Sequence, residues 1–140
     1  MSQDLQKKVK LFIVDDHDAI VKMLKKHLSK NEVLEIHTFD SGEACVNNMG
    51  IDPEIIILDF DLQQSGGRLN GMDVVKAVQA LGYFPKIIML TGQENGKIVL
   101  ELINHGVRDY IIKDENAFTE LNDVILDFLN GKMAKPEEEN

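Results

Sequence analysis

Five residues could do metal and phosphoryl chemistry if the fold gathered them: Asp15, Asp16, Asp59, Thr91 and Lys113. Converging carboxylates repel each other, and a cation must offset that repulsion. Hard oxygen ligands favour Mg²⁺, which keeps several waters and takes one or two carboxylates. Asp16 and Asp59 suit direct ligation, Asp15 a contact through water, and a main-chain carbonyl at Asp61 completes the set. Beside such an ion, the Asp59 carboxylate is a candidate nucleophile that forms an aspartyl phosphate. Phosphoryl transfer then needs little beyond in-line positioning and charge neutralisation. The cation would hold one phosphoryl oxygen, the Lys113 ammonium a second as a point charge, and the Thr91 hydroxyl a third. Gly92 leaves room for the backbone to approach.

Elements that could position these residues are visible in the apolar pattern. Short apolar runs cover Leu11 to Val14, Leu34 to Phe39, Ile55 to Leu58, Ile87 to Leu90 and Tyr110 to Ile112. Several are almost unbroken Ile, Val, Leu or Phe, as in parallel strands covered on both faces. Amphipathic stretches alternate with them. Ile20, Leu24 and Leu28 share a face, as do Met72, Val75 and Val78, then Val99, Leu102 and Ile103, then Phe118, Leu121, Ile125 and Phe128. Ser41 to Met49 forms a shorter helix, and Gly131 reads as the stop of the last one. Five β-α units predict an α/β fold, a flavodoxin-like doubly wound parallel sheet with strand order 2-1-3-4-5. Ligands of such sheets bind beyond the C-terminal strand ends. Asp15-Asp16, Asp59, Thr91-Gly92 and Lys113 each follow such a run.

Composition narrows the function classes. The 140 residues suffice for one domain, expected over 1–132, with an acidic flexible tail over 133–140. A net charge of -9 opposes direct nucleic-acid binding through phosphates and suits divalent cations and basic protein partners. The single cysteine, Cys45, excludes a disulfide within the chain and reads as packing. Lys7 to Lys10 precede an apolar run that Asp15 ends too soon for a signal peptide, and no run approaches bilayer length. A cytoplasmic protein with no membrane partner is expected. There is no Gly-x-Gly-x-x-Gly and no Walker A loop, and Gly66-Gly67 reads as a turn. His17, His27, His37 and His105 show no ligand spacing, although His17 adjoins the acidic pair.

In their order and strand-end positions, Asp15-Asp16, Asp59 in Ile-Ile-Ile-Leu-Asp, Thr91-Gly92 and Lys113 resemble the receiver domains of two-component response regulators. The resemblance runs from about Val9 to Gly131, and Tyr110 matches the family's switch aromatic. It implies that Asp59 accepts phosphate from a histidine kinase or a phosphotransfer protein. Asp15 and Asp16 would organise Mg²⁺, and Thr91 and Lys113 would bind the phosphoryl group. Movement of Thr91, followed by Tyr110, would remodel the face made by the fourth helix, fifth strand and fifth helix for a downstream protein target. Asp61 and Gln93 would flank attacking water and tune phosphoryl lifetime. The chain would not be an enzyme beyond its own phosphorylation and dephosphorylation.

Three departures from the pattern stand out. Gln63 occupies a usual proline position, and the glycine that opens the third helix comes late, at Gly71, leaving Gln63 to Asn70 as an insertion. Asp114 replaces the proline after the lysine. Lys113-Asp114 and Asp15-Asp16-His17 resemble receivers that precede helix-turn-helix DNA-binding domains, so a module separated from such a regulator is one alternative. A haloacid-dehalogenase-like phosphatase is another, since Asp59-Phe60-Asp61 resembles its Asp-x-Asp motif. Asp15-Asp16 lie before every other motif, however, where that family's acidic pair should follow the lysine.

Overall fold

A computed structural model describes residues 7–63, 66–92 and 94–133. The strands are β1 (Val9–Val14), β2 (Leu34–Phe39), β3 (Ile55–Asp59), β4 (Lys86–Thr91) and β5 (Asp109–Ile112). They alternate with α1 (Asp18–Leu28), α2 (Gly42–Asn47), α3 (Gly71–Ala80), α4 (Gly96–Asn104) and α5 (Ala117–Met133). All strand pairs are parallel, in the order β2-β1-β3-β4-β5. The flavodoxin-like arrangement read from the sequence is therefore the one observed.

Two cores explain the unbroken apolar runs. Phe12, Val14, Ile56, Leu58, Ile87 and Met89 pack with Cys45 of α2, Met72, Val75 and Val78 of α3 and Leu102 of α4. Their neighbours Leu11, Ile13, Ile55, Ile57, Ile88, Leu90 and Ile111 pack with Leu24 and Leu28 of α1 and Leu121, Ile125 and Leu129 of α5. Alternate strand side chains enter opposite cores, so both sets must be apolar. Cys45 is fully buried, and burial pushes its thiol up to about 12. That fits the packing role expected for it.

Local signals set the helix ends. Ser41 accepts from Ala44 N at 3.0 Å at the start of α2. Asn70 and Asp73 form a reciprocal capping box on α3. The α3 and α4 ends use left-handed glycines, Gly82 (φ 94°) and Gly106 (φ 82°), with Tyr83 N on Val78 O and Val107 N on Leu102 O. Two expectations at helix ends are corrected. The second helix stops at Asn47, and Met49–Ile51 tighten into a 3₁₀ turn. Gly131 does not stop α5, which continues to Met133; Gly131 lacks the positive φ of a left-handed cap.

The described residues of the insertion, Gln63 and 66–70, are anchored to the rest of the fold. Leu62 is fully buried, and Leu69 packs on the core shared by α2, α3 and α4. Arg68 N donates to Glu43 Oε2 of α2 at 2.9 Å, and Gln63 Nε2 donates to Arg68 O at 2.7 Å. Gly71 then brings α3 close against β3, its N–H on Phe60 O at 2.8 Å. A Cβ at Gly71 would stand 2.8 Å from both Phe60 Cα and Met89 Sδ. Gly71→Ala should therefore destabilise the fold by about 1–3 kcal/mol. Gly131→Ala, with nothing within 4 Å of the new methyl, should stabilise it by about 0.4–1 kcal/mol. Urea unfolding midpoints measure both, and a Gly71→Ala midpoint at or above wild type would contradict the close approach.

Candidate functional site

Sheet register delivers the candidate residues to one edge. Val14 pairs with Leu58, Leu58 with Met89, and Met89 with Tyr110. One step further along, Asp15, Asp59, Leu90 and Ile111 stand level, and Thr91 and Lys113 follow at the same rim. Alternation places Thr91 on the Met89 and Tyr110 side of the sheet, which faces α4. Asp59 and Lys113 continue the Ile57 and Ile111 side, which faces α1 and α5.

Charged groups meet at this rim. Lys113 Nζ lies 2.9 Å from Asp59 Oδ1 and 3.3 Å from Asp15 Oδ2. Asp61 N–H donates to Asp59 Oδ1 at 3.3 Å. Asp15 and Asp59 are 2% and 1% exposed. Burial, reinforced by the charge of Asp15, pushes the Asp59 carboxyl up to about 6 despite the opposing Lys113. Burial also works against the charge on Lys113, yet the contacts to Asp59 and Asp15 hold its pKa above the ordinary value. Asp59 Oδ2 is buried and has no hydrogen-bond partner among the described residues.

His17 enters the same pocket, which its sequence spacing did not predict. Its Nδ1 lies 3.0 Å from Asp15 Oδ1, 3.3 Å from Asp16 Oδ1 and 4.0 Å from Asp59 Oδ2. A local turn causes this: His17 N–H donates to Asp15 Oδ1 at 2.8 Å and folds the ring back over the pair. The hydrogen bond to Asp15 raises the pKa of His17. Its place directly after two aspartates was the available clue. The acidic pair does not itself cap α1, whose N-cap is His17 with no side-chain cap bond.

Other candidates sit nearby. Thr91 is buried at the end of β4, with Lys113 N on its carbonyl at 2.8 Å. Tyr110 is half-buried against the α4 side. The Asp61 side chain is exposed. Gln93 and the tail from 134 onward lie outside the described residues. The bond after Lys113 is trans, and Asp114 begins a turn by accepting from Asn116 N at 2.8 Å.

Donor atoms of Asp15, Asp16, His17 and Asp59 all fall within 4.8 Å of one another. A divalent cation fits this set: the donors are mostly hard oxygens, and the buried Asp59 Oδ2 has no hydrogen-bond partner among the described residues.

Comparison with known proteins agrees with this geometry. Residues 11–125 match the family described as response regulator receiver domain. The transcriptional regulatory protein LnrK of Bacillus subtilis is 28% identical over 131 residues, covering 92% of this chain and 58% of that protein. A nitrate/nitrite response regulator homologue of Haemophilus influenzae is 26% identical over 122 residues, covering 86% of this chain and 57% of that protein. The chain thus spans little more than half the length of these relatives, and 16% of RcaC from Microchaete diplosiphon, which is 28% identical over 105 residues. Among solved structures, the signal receiver domain of a Luxo repressor protein from Vibrio parahaemolyticus shares the fold. It has a TM-score of 0.76 at 21% identity, covering 90% of this chain and 94% of that one.

The raised Asp59 pKa fixes a pH dependence. A carboxyl raised in the folded state favours folding while protonated, and that contribution is lost as pH climbs through the folded value. Chelator-treated protein should lose roughly 3 kcal/mol of stability between about pH 4 and the folded pKa of about 6. Asp59→Asn should remove most of this loss and raise the melting temperature at neutral pH. Denaturation across pH measures it; identical profiles for the two proteins would contradict the assigned charge balance.

Proposed function

The chain belongs to the response regulator receiver domains of two-component signalling, and on that premise we propose that Asp59 is its phosphate acceptor. The observation that carries this reading is the division of labour at one buried carboxylate. Lys113 holds Oδ1 at 2.9 Å, while Oδ2 has no hydrogen-bond partner among the described residues. The phosphohistidine of a histidine kinase, or of a phosphotransfer protein, presents its phosphorus to the Asp59 carboxylate, at the oxygen that the cation leaves free. The P–N bond breaks as the P–O bond to Asp59 forms. A Mg²⁺ held by Asp15, Asp16 and Asp59, with the Asp61 carbonyl, would supply charge neutralisation to the phosphoryl oxygens. Lys113 binds one of those oxygens and keeps the carboxylate oriented. Thr91 donates its hydroxyl to another.

That hydroxyl also links the chemistry to a response. Thr91 and Tyr110 face α4, so drawing Thr91 toward the phosphoryl group leaves space for Tyr110 to follow. The face of α4, β5 and α5 then changes shape. Leu100 and Ile103 of α4 are 61% and 54% exposed there and would meet a downstream protein. Asp61 and Gln93 tune the access of hydrolytic water.

A second reading is a receiver module separated from a DNA-binding transcriptional regulator, favoured by the likeness to transcriptional regulators of which the chain covers little more than half. The net charge of -9 argues that the receiver segment itself does not contact DNA. No helix among the described residues is long and apolar enough to cross a membrane, and cytoplasmic work fits a kinase partner.

Incubation with acetyl phosphate and Mg²⁺, followed by intact-mass measurement, tests the central reading. Wild type should gain one phosphoryl group, and Asp59→Asn or a chelator should prevent it. An equal gain in Asp59→Asn would sink it. A second measurement concerns lifetime: Asp61 and Gln93 substitutions should change the dephosphorylation rate severalfold while leaving Asp59 phosphorylatable. Unchanged decay in both variants would remove them from the hydrolytic step.

A further inference from the structure

We infer that His17 is a fourth donor of the acidic pocket, so that the site takes divalent transition ions through a nitrogen ligand as well as Mg²⁺ through oxygens. This rests on the reading of the pocket as a cation site. In an octahedral shell with bonds of about 2.1 Å, adjacent donors stand about 3 Å apart and opposite ones about 4.2 Å. His17 Nδ1 meets that spacing at 3.0 and 3.3 Å from Asp15 and Asp16 and 4.0 Å from Asp59 Oδ2. The Asp59 oxygen supplies an independent sign of a missing ligand. Its residue is 1% exposed, and it has no hydrogen-bond partner among the described residues.

The ring makes no cap bond: His17 occupies the N-cap of α1 without one, and its main-chain N–H to Asp15 Oδ1 at 2.8 Å keeps the turn when the ring nitrogen gives up its own 3.0 Å bond to the same oxygen. The other histidines are engaged elsewhere: His27 stacks on Phe118, His37 meets Glu35 at 2.7 Å, and His105 meets Glu101 O at 2.9 Å. The His17 side chain is 40% exposed, which leaves a route for ion exchange. A neutral imidazole with its proton on Nε2 replaces one water of the shell and gives the Nδ1 lone pair to the ion in place of the Nδ1–H bond to Asp15. Imidazole favours later first-row ions over Mg²⁺, and affinity rises along the series toward Ni²⁺. Three carboxylates plus one imidazole therefore bind Ni²⁺ or Co²⁺ more tightly than Mg²⁺.

Equilibrium binding of Ni²⁺ and of Mg²⁺ to untagged wild type, His17→Ala, His17→Gln and Asp16→Asn tests the assignment without reference to phosphorylation. The ratio of Ni²⁺ to Mg²⁺ affinity should fall at least about tenfold in both His17 variants. Asp16→Asn should weaken Ni²⁺ binding too, and Co²⁺ should shift the His17 ring protons in the NMR spectrum of wild type. A ratio unchanged within about twofold, or Ni²⁺ affinity indifferent to Asp16→Asn, would overturn the inference. Wild type that binds no Mg²⁺ would instead sink the underlying reading of the pocket.

Discussion

Repulsion among three aspartates at one sheet edge is the constraint that organises this end of the molecule. Asp15 and Asp59 are almost wholly buried, and both lean on one ammonium, that of Lys113. His17 adds a second partner from the solvent side. Neither relieves the strain fully, since burial still pushes Asp59 up to about 6. A divalent cation would complete the charge balance of a pocket in this condition. The fold tolerates the cost through its apolar layers, where each fully buried aliphatic side chain contributes about 1.5–3 kcal/mol.

The placement of those charges follows from packing elsewhere. Parallel strands buried on both faces need apolar residues at every position, and a polar residue fits only where the strand runs out. Asp59 and Thr91 are the last residues of β3 and β4, while Asp15 and Lys113 lie just past β1 and β5. Gly71 matters for the same reason. Its missing side chain lets α3 sit directly on the backbone beside Asp59, with Phe60 and Met89 filling the space a methyl would take.

Most of this was legible in the residues. The five apolar runs were enough for the sheet, and a doubly wound sheet collects strand ends, so Asp15, Asp16, Asp59, Thr91 and Lys113 could be grouped in advance. What escaped depended on short-range geometry with no periodic signature. His17 reaches the carboxylates through a two-residue turn, which no ligand spacing announces. Gly131 carries the composition of a helix stop but not its dihedral angle. The inserted loop was visible by length alone, whereas its anchors, Arg68 on Glu43 and Leu69 on the core, come from distant segments.

The alternation of side chains across the sheet has one more consequence. Asp59 and Lys113 belong to the leaf that carries α1 and α5, while Thr91 and Tyr110 belong to the leaf that carries α4. The sheet is a partition one backbone thick, and the only place to pass a message around it is its open rim. The edge strand β5 is flanked by α4 on one leaf and α5 on the other, so a change at the rim can reach a surface that both leaves share.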